Sequence, residues 1–172
     1  MRAKGYHGVA IDEIGDAAGI SGPAVYRHYA SKADILLDAY DRVGSRVAVG
    51  VEAALAAAMG PSDALARLID SYVTIAIDNV DLIIATGQEG AALPDAERPR
   101  LARQRRDIAE SWIRVVGELR PDLTEAEVRR HVASAFPMVN HVAQFAAGPI
   151  DPGPELRDLV WAFLAGRKVN AR

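Results

Sequence analysis

AGISGPAVYRHYASKADIL, residues 18–36, is the stretch from which the rest of the chain can be read. Just before it, residues 10–18 carry Ile11, Ile14 and Ala18 on one face of a short helix. Gly19 follows the last periodic residue and is the expected stop, because glycine enters the left-handed conformation of a helix C-terminus without steric cost. Ser21 is placed to cap a second short helix through its hydroxyl, and Gly22 and Pro23 suit its first turn, where a missing N–H costs nothing. Ser31 is placed to cap a third, long helix that runs past Val43, with Gly44 and Gly50 weakening its far half. Two short helices separated by Gly19-Ile20-Ser21 make a helix-turn-helix. The second helix of such a unit enters the DNA major groove by its N-terminal end.

Each side chain of the second helix then has an expected task. Gly22 would let backbone approach DNA, and Pro23 offers a rigid apolar surface for thymine methyls. Tyr26 shares the exposed face with Pro23, with a hydroxyl for a phosphate and a ring for a base edge. Val25 and Tyr29 form the opposite, core-facing side. Arg27 and His28 fall near the DNA backbone. Lys32, in the first turn of the next helix, is placed to hold a phosphate together with free N–H groups. A plainer reading of the same residues has half-buried tyrosines with Arg27 and Lys32 as solvated charges.

Composition bounds the rest. A chain of 172 residues is one large domain or two smaller ones. Half its residues are hydrophobic, enough for a core, and only 6% are aromatic, so helices are favoured over strands. The net charge of −3 points neither to a DNA coat nor to a membrane surface. Without cysteine there is no disulfide, zinc-thiolate site or thiol chemistry. No apolar run is long enough to span a bilayer, the first residues lack a signal-peptide core, and a cytoplasmic location is expected.

Downstream, helix follows helix. Gly60-Pro61 is the clearest break, and Ser62 or Asp63 begins a helix through Leu65, Leu68, Ile69, Tyr72, Val73 and Ile77. Asn79 and Asp81 mark a turn before a short helix at 82–88. A loop with two prolines, 90–100, leads to a long helix through Leu101, Ile108, Trp112, Val115 and Leu119 that Pro121 ends. Thr124 and Glu127 form a capping box for a helix to about 146. A last helix spans about 155–168. No strand pattern is present. The expected architecture is therefore all-α, with a helix-turn-helix unit over 1–42 and a second helical unit over 43–172 sharing the long helix.

The residues Gly5-Tyr6, Ile11-Asp12-Glu13-Ile14, Ala18-Gly19-Ile20-Ser21, Val25 through Tyr29 and Ser31-Lys32 together carry a resemblance. The stretch from Gly5 to Leu36 closely resembles the N-terminal signature of the tetracycline-repressor (TetR) family of bacterial regulators. The resemblance implies that Ser21, Gly22, Pro23, Ala24, Tyr26 and His28 face DNA, with Lys32 as a phosphate anchor. It also implies a variable C-terminal helical domain that dimerises and binds a small molecule. Two departures matter. Val9-Ala10 stand where the family commonly has Thr or Ser, which removes a side-chain cap worth about 1 kcal/mol. The family's first helix would precede Gly5, and Met1 to Lys4 supply about one turn of it, so the first 40 residues are expected to be loosely held. Residues 1–42 carry five basic and six acidic side chains. DNA binding would therefore rest on a few placed cations and two copies of the unit.

The C-terminal half suggests a partner and a ligand. From Ala133 to Ala146 the helix is apolar nearly all round, and the last helix adds Leu156, Leu159, Val160, Phe163 and Leu164. A two-fold dimer pairing the helices at about 124–146 and 155–168 would bury these faces and suit a palindromic DNA operator. For a small, lipophilic effector the candidate walls are Tyr72, Ile75, Trp112, Val116 and Phe136. The candidate polar anchors are Gln88, Gln104, Arg105, Asn140 and His141, with Pro137 expected to kink the helix. The arginines at 98, 100, 103, 105 and 106 read as a solvated face with Arg103–Asp107 and Arg106–Glu110 pairs, or as a grip on an anionic effector. No cofactor or metal is expected, because the four histidines lack ligand spacing. The expectation is a homodimeric transcriptional regulator, most simply a repressor released by its effector. The alternatives are a helical dimerisation module that does not bind DNA and, least favoured, an all-helical enzyme.

Overall fold

A computed structural model describes residues 9–80, 82, 94–143 and 151–166. In chain order the helices are α1 (Ile11–Ala18), α2 (Gly22–Tyr26), α3 (Lys32–Ala56), α4 (Pro61–Asp78), α5 (Arg98–Leu119), α6 (Glu125–Ala143) and α7 (Gly153–Ala165). No strand occurs among the described residues.

The turns obey the local chemistry. Gly19 takes φ 71° and closes α1, its N–H donating to the Asp16 carbonyl while the Ile20 N–H donates to that of Gly15. Ser31 caps α3, its hydroxyl accepting from the Asp34 N–H at 3.2 Å. The Thr124/Glu127 box is complete: the Glu127 N–H donates to Thr124 Oγ1, and the Thr124 N–H to the Glu127 carboxylate at 2.8 Å. α4 begins one residue earlier than expected, with Pro61 in its first turn. α5 starts at Arg98 inside the expected loop, for the same reason: Pro99 tolerates a first turn. α6 passes through Pro137 and continues to Ala143.

One apolar core runs through α4–α7 and the second half of α3. It includes Val47, Leu65, Leu68, Val73, Trp112, Val116, Val132, Val139, Leu156, Val160 and Leu164. α3 packs on α4 and, more lightly, on α5, and two glycines set those approaches. A side chain at Gly50 would collide with Ser71, and one at Gly44 with Gln104. Gly44 and Gly50 were expected to weaken the helix; α3 continues through both, and they serve instead as close crossing points. Closer to the helix-turn-helix, Leu36 and Leu101 form a separate small cluster with Leu37, Tyr40 and Leu82.

Candidate nucleic-acid interface and the core aromatic cluster

Glycine geometry joins α1 to α2. A Cβ on Gly15 would sit 2.8 Å from the Ile20 carbonyl oxygen, and one on Gly22 would overlap the Asp12 carboxylate. This corrects the expected reason for Gly22: it is buried, and the close approach it allows is to Asp12 of α1. Ser21 is also used differently. Its hydroxyl makes no cap bond, because Pro23 has no N–H to give and the Ala24 N–H already donates to Ser21's own carbonyl at 2.8 Å. The hydroxyl belongs to an exposed residue instead.

The faces of α2 divide as the spacing predicts. Val25 is only 4% exposed, whereas Tyr26 is 56% exposed. Ser21, Pro23, Arg27 and His28 are exposed as well, and Ala24 is half-buried. Arg27 makes no ion pair among the described residues. Tyr29 turns inward, its hydroxyl donating to Asp38 of α3 at 2.6 Å. Arg42 shares that carboxylate at 3.0 Å, and the hydrogen bonds from Tyr29 and Arg42 hold the Asp38 carboxyl below its ordinary range.

Lys32 also has a partner within the chain. Its ammonium donates to the Val9 carbonyl at 2.8 Å, tethering the segment that leads into α1. The start of α1 lacks a side-chain cap, as the alanine at position 10 predicts, and the Glu13 carboxylate takes the Ala10 N–H at a long 3.4 Å. α1 and α2 are thus held to α3 by two polar clasps, Lys32–Val9 and Tyr29–Asp38, with Val9 and Val25 as their buried apolar residues. Below them a third clasp fixes α3 to α5. Arg100 makes two 2.8 Å hydrogen bonds to Asp41, and a third, of 2.7 Å, to Glu97.

The candidate effector residues split. Tyr72, Trp112 and Phe136 form a triangle of edge-to-face rings, with centroids 5.0–6.0 Å apart. The Tyr72 hydroxyl donates to Asn140 Oδ1 at 3.1 Å. Burial pushes the Tyr72 phenol up to about 12. Ile75 and Val116 are buried in the same core. Trp112 is 1% exposed, and its indole N–H has no hydrogen-bond acceptor among the described residues. A buried donor left in that state costs about 1–3 kcal/mol. The other anchors do not join this group. Arg105 and His141 are exposed, not core-facing, and Arg105 Nε donates to its own helix at Leu101. Gln104 lies across Gly44, and Gln88 lies outside the described residues.

The arginine patch is solvated, although not through the expected pairs. Neither Arg103–Asp107 nor Arg106–Glu110 forms. Glu110 instead receives Arg129 of α6, because α5 and α6 pack side by side and a cross-helix partner is nearer. Arg98 pairs with Asp95 at 3.1 Å.

A helix closed by a left-handed glycine, a proline-started second helix with an exposed tyrosine, and a serine-capped long third helix are now in place. Residues 1–39 match the family of bacterial regulatory proteins, tetR family. The N-terminal segment carries the tetR-family signature. Among curated relatives, the HTH-type transcriptional activator FasR of Mycolicibacterium smegmatis is 40% identical over 52 residues. That match takes in 30% of this chain and 24% of FasR. The HTH-type transcriptional regulator CymR of Pseudomonas putida is 26% identical over 121 residues, 67% of this chain and 59% of CymR. The chain thus spans between a quarter and three fifths of the curated relatives it matches. Among solved structures, the TetR family transcriptional regulator PfmR from Thermus thermophilus superposes with a TM-score of 0.82 at 21% identity. The superposition covers 98% of this chain and 94% of that one. The tetR fold therefore extends through the C-terminal helices. The matched family is one of regulatory proteins, and both curated relatives are transcriptional regulators. Among the described residues no helix is long and apolar enough to cross a membrane, and no cluster of metal-ligating side chains occurs.

Proposed function

We propose that the protein is a cytoplasmic, homodimeric, DNA-binding regulator of transcription, a repressor that a small lipophilic effector releases from a palindromic operator. The observation that carries the reading is the orientation of α2: Val25 is buried while Pro23, Tyr26, Arg27 and His28 are exposed. That arrangement presents an aromatic, an apolar wedge and a cation together on the outward side of a helix-turn-helix. Ser21 adds an exposed hydroxyl and Ala24 a small side chain beside them. Lys32, in the first turn of α3, places its ammonium charge next to α2 as the phosphate anchor. Gly22 contributes by packing α2 onto α1 and so setting its angle. The working division is 1–42 for DNA and 43–172 for effector and dimer.

A second copy suits the outer faces of α6 and α7. Leu159 and Phe163 are 45% and 38% exposed. Phe163 stacks on His131 of α6, its ring 5.3 Å away, so the two helices share one partly apolar surface. Two copies joined there as a four-helix bundle would carry two α2 helices for half-sites roughly 34–36 Å apart, or a multiple of that. The effector would occupy the aromatic cluster of α4, α5 and α6. Its differential affinity for the non-binding arrangement would be worth about 1–3 kcal/mol. The Asp41–Arg100 clasp couples α5 to the helix that carries the DNA unit.

The test is a gel shift with the gene's own upstream duplex at several salt concentrations. A specific, salt-weakened complex is expected, and Tyr26→Ala should weaken it. A chain that dimerises yet retards no DNA would favour the dimerisation-module alternative instead.

A further inference from the structure

The effector reading leaves open what kind of molecule the cluster takes, and the hydrogen-bond inventory there is one-sided. Trp112 Nε1–H is buried with no acceptor among the described residues. Asn140 accepts the Tyr72 hydroxyl at its carbonyl oxygen, and its amide NH2 group carries two further donors. Both groups adjoin Tyr72, one by ring contact and one by hydrogen bond. The cluster therefore offers N–H donors from two residues beside three aromatic rings, in the core that also holds Ile75 and Val116. No polar or charged residue is fully buried among the described residues. A carboxylate carried into this core would find no counter-charge, and an unpaired buried anion is strongly disfavoured. A neutral oxygen acceptor meets no such penalty. Phe136 and Asn140 are half-buried where Trp112 and Val116 are fully so, which gives the approach its side.

We infer that Trp112 and Asn140 form a donor subsite for a neutral, flat, largely apolar effector bearing a carbonyl-type oxygen, such as an aromatic ketone or ester. The rings hold the apolar body and the indole N–H fixes the oxygen. Specificity follows from the same asymmetry: a site built around buried donors discriminates against a ligand that leaves them unpaired. The inference rests on the effector reading above and narrows it.

The experiment uses the full chain with Trp161→Phe, which leaves Trp112 as the sole tryptophan of the two. Three probes of similar shape are titrated: methyl naphthyl ketone, ethylnaphthalene and naphthoate. Tryptophan fluorescence gives affinity, and the indole N–H proton resonance reports its hydrogen bond. The ketone should bind about tenfold or more tightly than either other probe, and should move the indole proton downfield as the hydrocarbon does not. Adding Trp112→Phe, followed by calorimetry, should bring the ketone down to the hydrocarbon's affinity. If that variant does not fold, the proton shift and the probe ranking decide alone. Equal binding of ketone and hydrocarbon with no downfield shift overturns the inference while leaving a lipophilic effector standing. Preference for naphthoate overturns it in favour of an anionic ligand. Failure of all three to bind overturns both the subsite and the effector site at this cluster.

Discussion

The helical body and the helix-turn-helix are held together by different physics. In the body, Leu65, Val73, Val116, Val132, Val139, Leu156, Val160 and Leu164 are at most 1% exposed and interlock across four helices. In the smaller unit, Val9 and Val25 are the buried large side chains, and polar clasps do the rest. Apolar interdigitation resists any displacement. A clasp of one ammonium and one carbonyl tolerates rotation. A regulator needs both: a body rigid enough to register a ligand, and a DNA unit free enough to change its angle.

The sharpest way to break this contrast is to injure each half. Leu156→Ala should cost about 2–5 kcal/mol of global stability by urea denaturation. Val25→Ala should leave that transition nearly in place while speeding amide exchange across α1 and α2. Equal shifts of one common transition would show that the halves are not energetically distinct. Next in size is an effect of high pH on the body. Tyr72 titrates higher in the folded chain than in the unfolded one, so its neutral form stabilises the fold below about pH 10, and that contribution is lost as pH rises to about 12. Each pH unit in that window should remove at most about 1.4 kcal/mol, and Tyr72→Phe should flatten the dependence. An unchanged slope would place the alkaline transition elsewhere.

How far the sequence foretells this contrast depends on the range of the interactions. Gly19, Ser31 and the Thr124/Glu127 box act within four residues, so spacing alone locates them. The division between Val25 and Tyr26 follows from helical period in the same way. What spacing does not carry is contact between distant segments. Lys32 reads as a phosphate anchor, and nothing in the chain near it announces its further bond to the Val9 carbonyl. Arg100–Asp41 spans two helices, and Glu110 chooses Arg129 because packing brings α6 closer than the next turn of α5. Gly15 and Gly22 carry a faint signal, as glycines in or beside a motif, yet only three dimensions reveal Ile20 and Asp12 as what they make room for. The aromatic triangle was legible as a set of core rings. The unsatisfied indole was not, since an acceptor's absence is a property of the assembled core.

Smaller effects sharpen the picture of the DNA unit. Gly15→Ala drives a Cβ against backbone, which cannot swing aside, and should lower operator affinity by about tenfold or more, roughly 1.4 kcal/mol, with the urea midpoint little changed. Gly22→Ala, which meets only the Asp12 side chain, should be milder. If the two rank the other way, the account of how α2 is set on α1 is wrong. Asp41→Asn should cost well under 1 kcal/mol of stability, because both partners are substantially exposed. It should nonetheless alter how strongly a bound effector weakens operator binding. An unaltered effector response would remove this clasp from the coupling route.

The central claim is that two copies of α2, carried by one dimer, enter one duplex together. Hydroxyl-radical footprinting of the full chain on its own upstream region tests it directly. The account predicts two short protected patches whose centres lie about one helical turn apart or a whole multiple of it, both lost with Tyr26→Ala. A single patch, protection without regular spacing, or a footprint unchanged in that variant would contradict it.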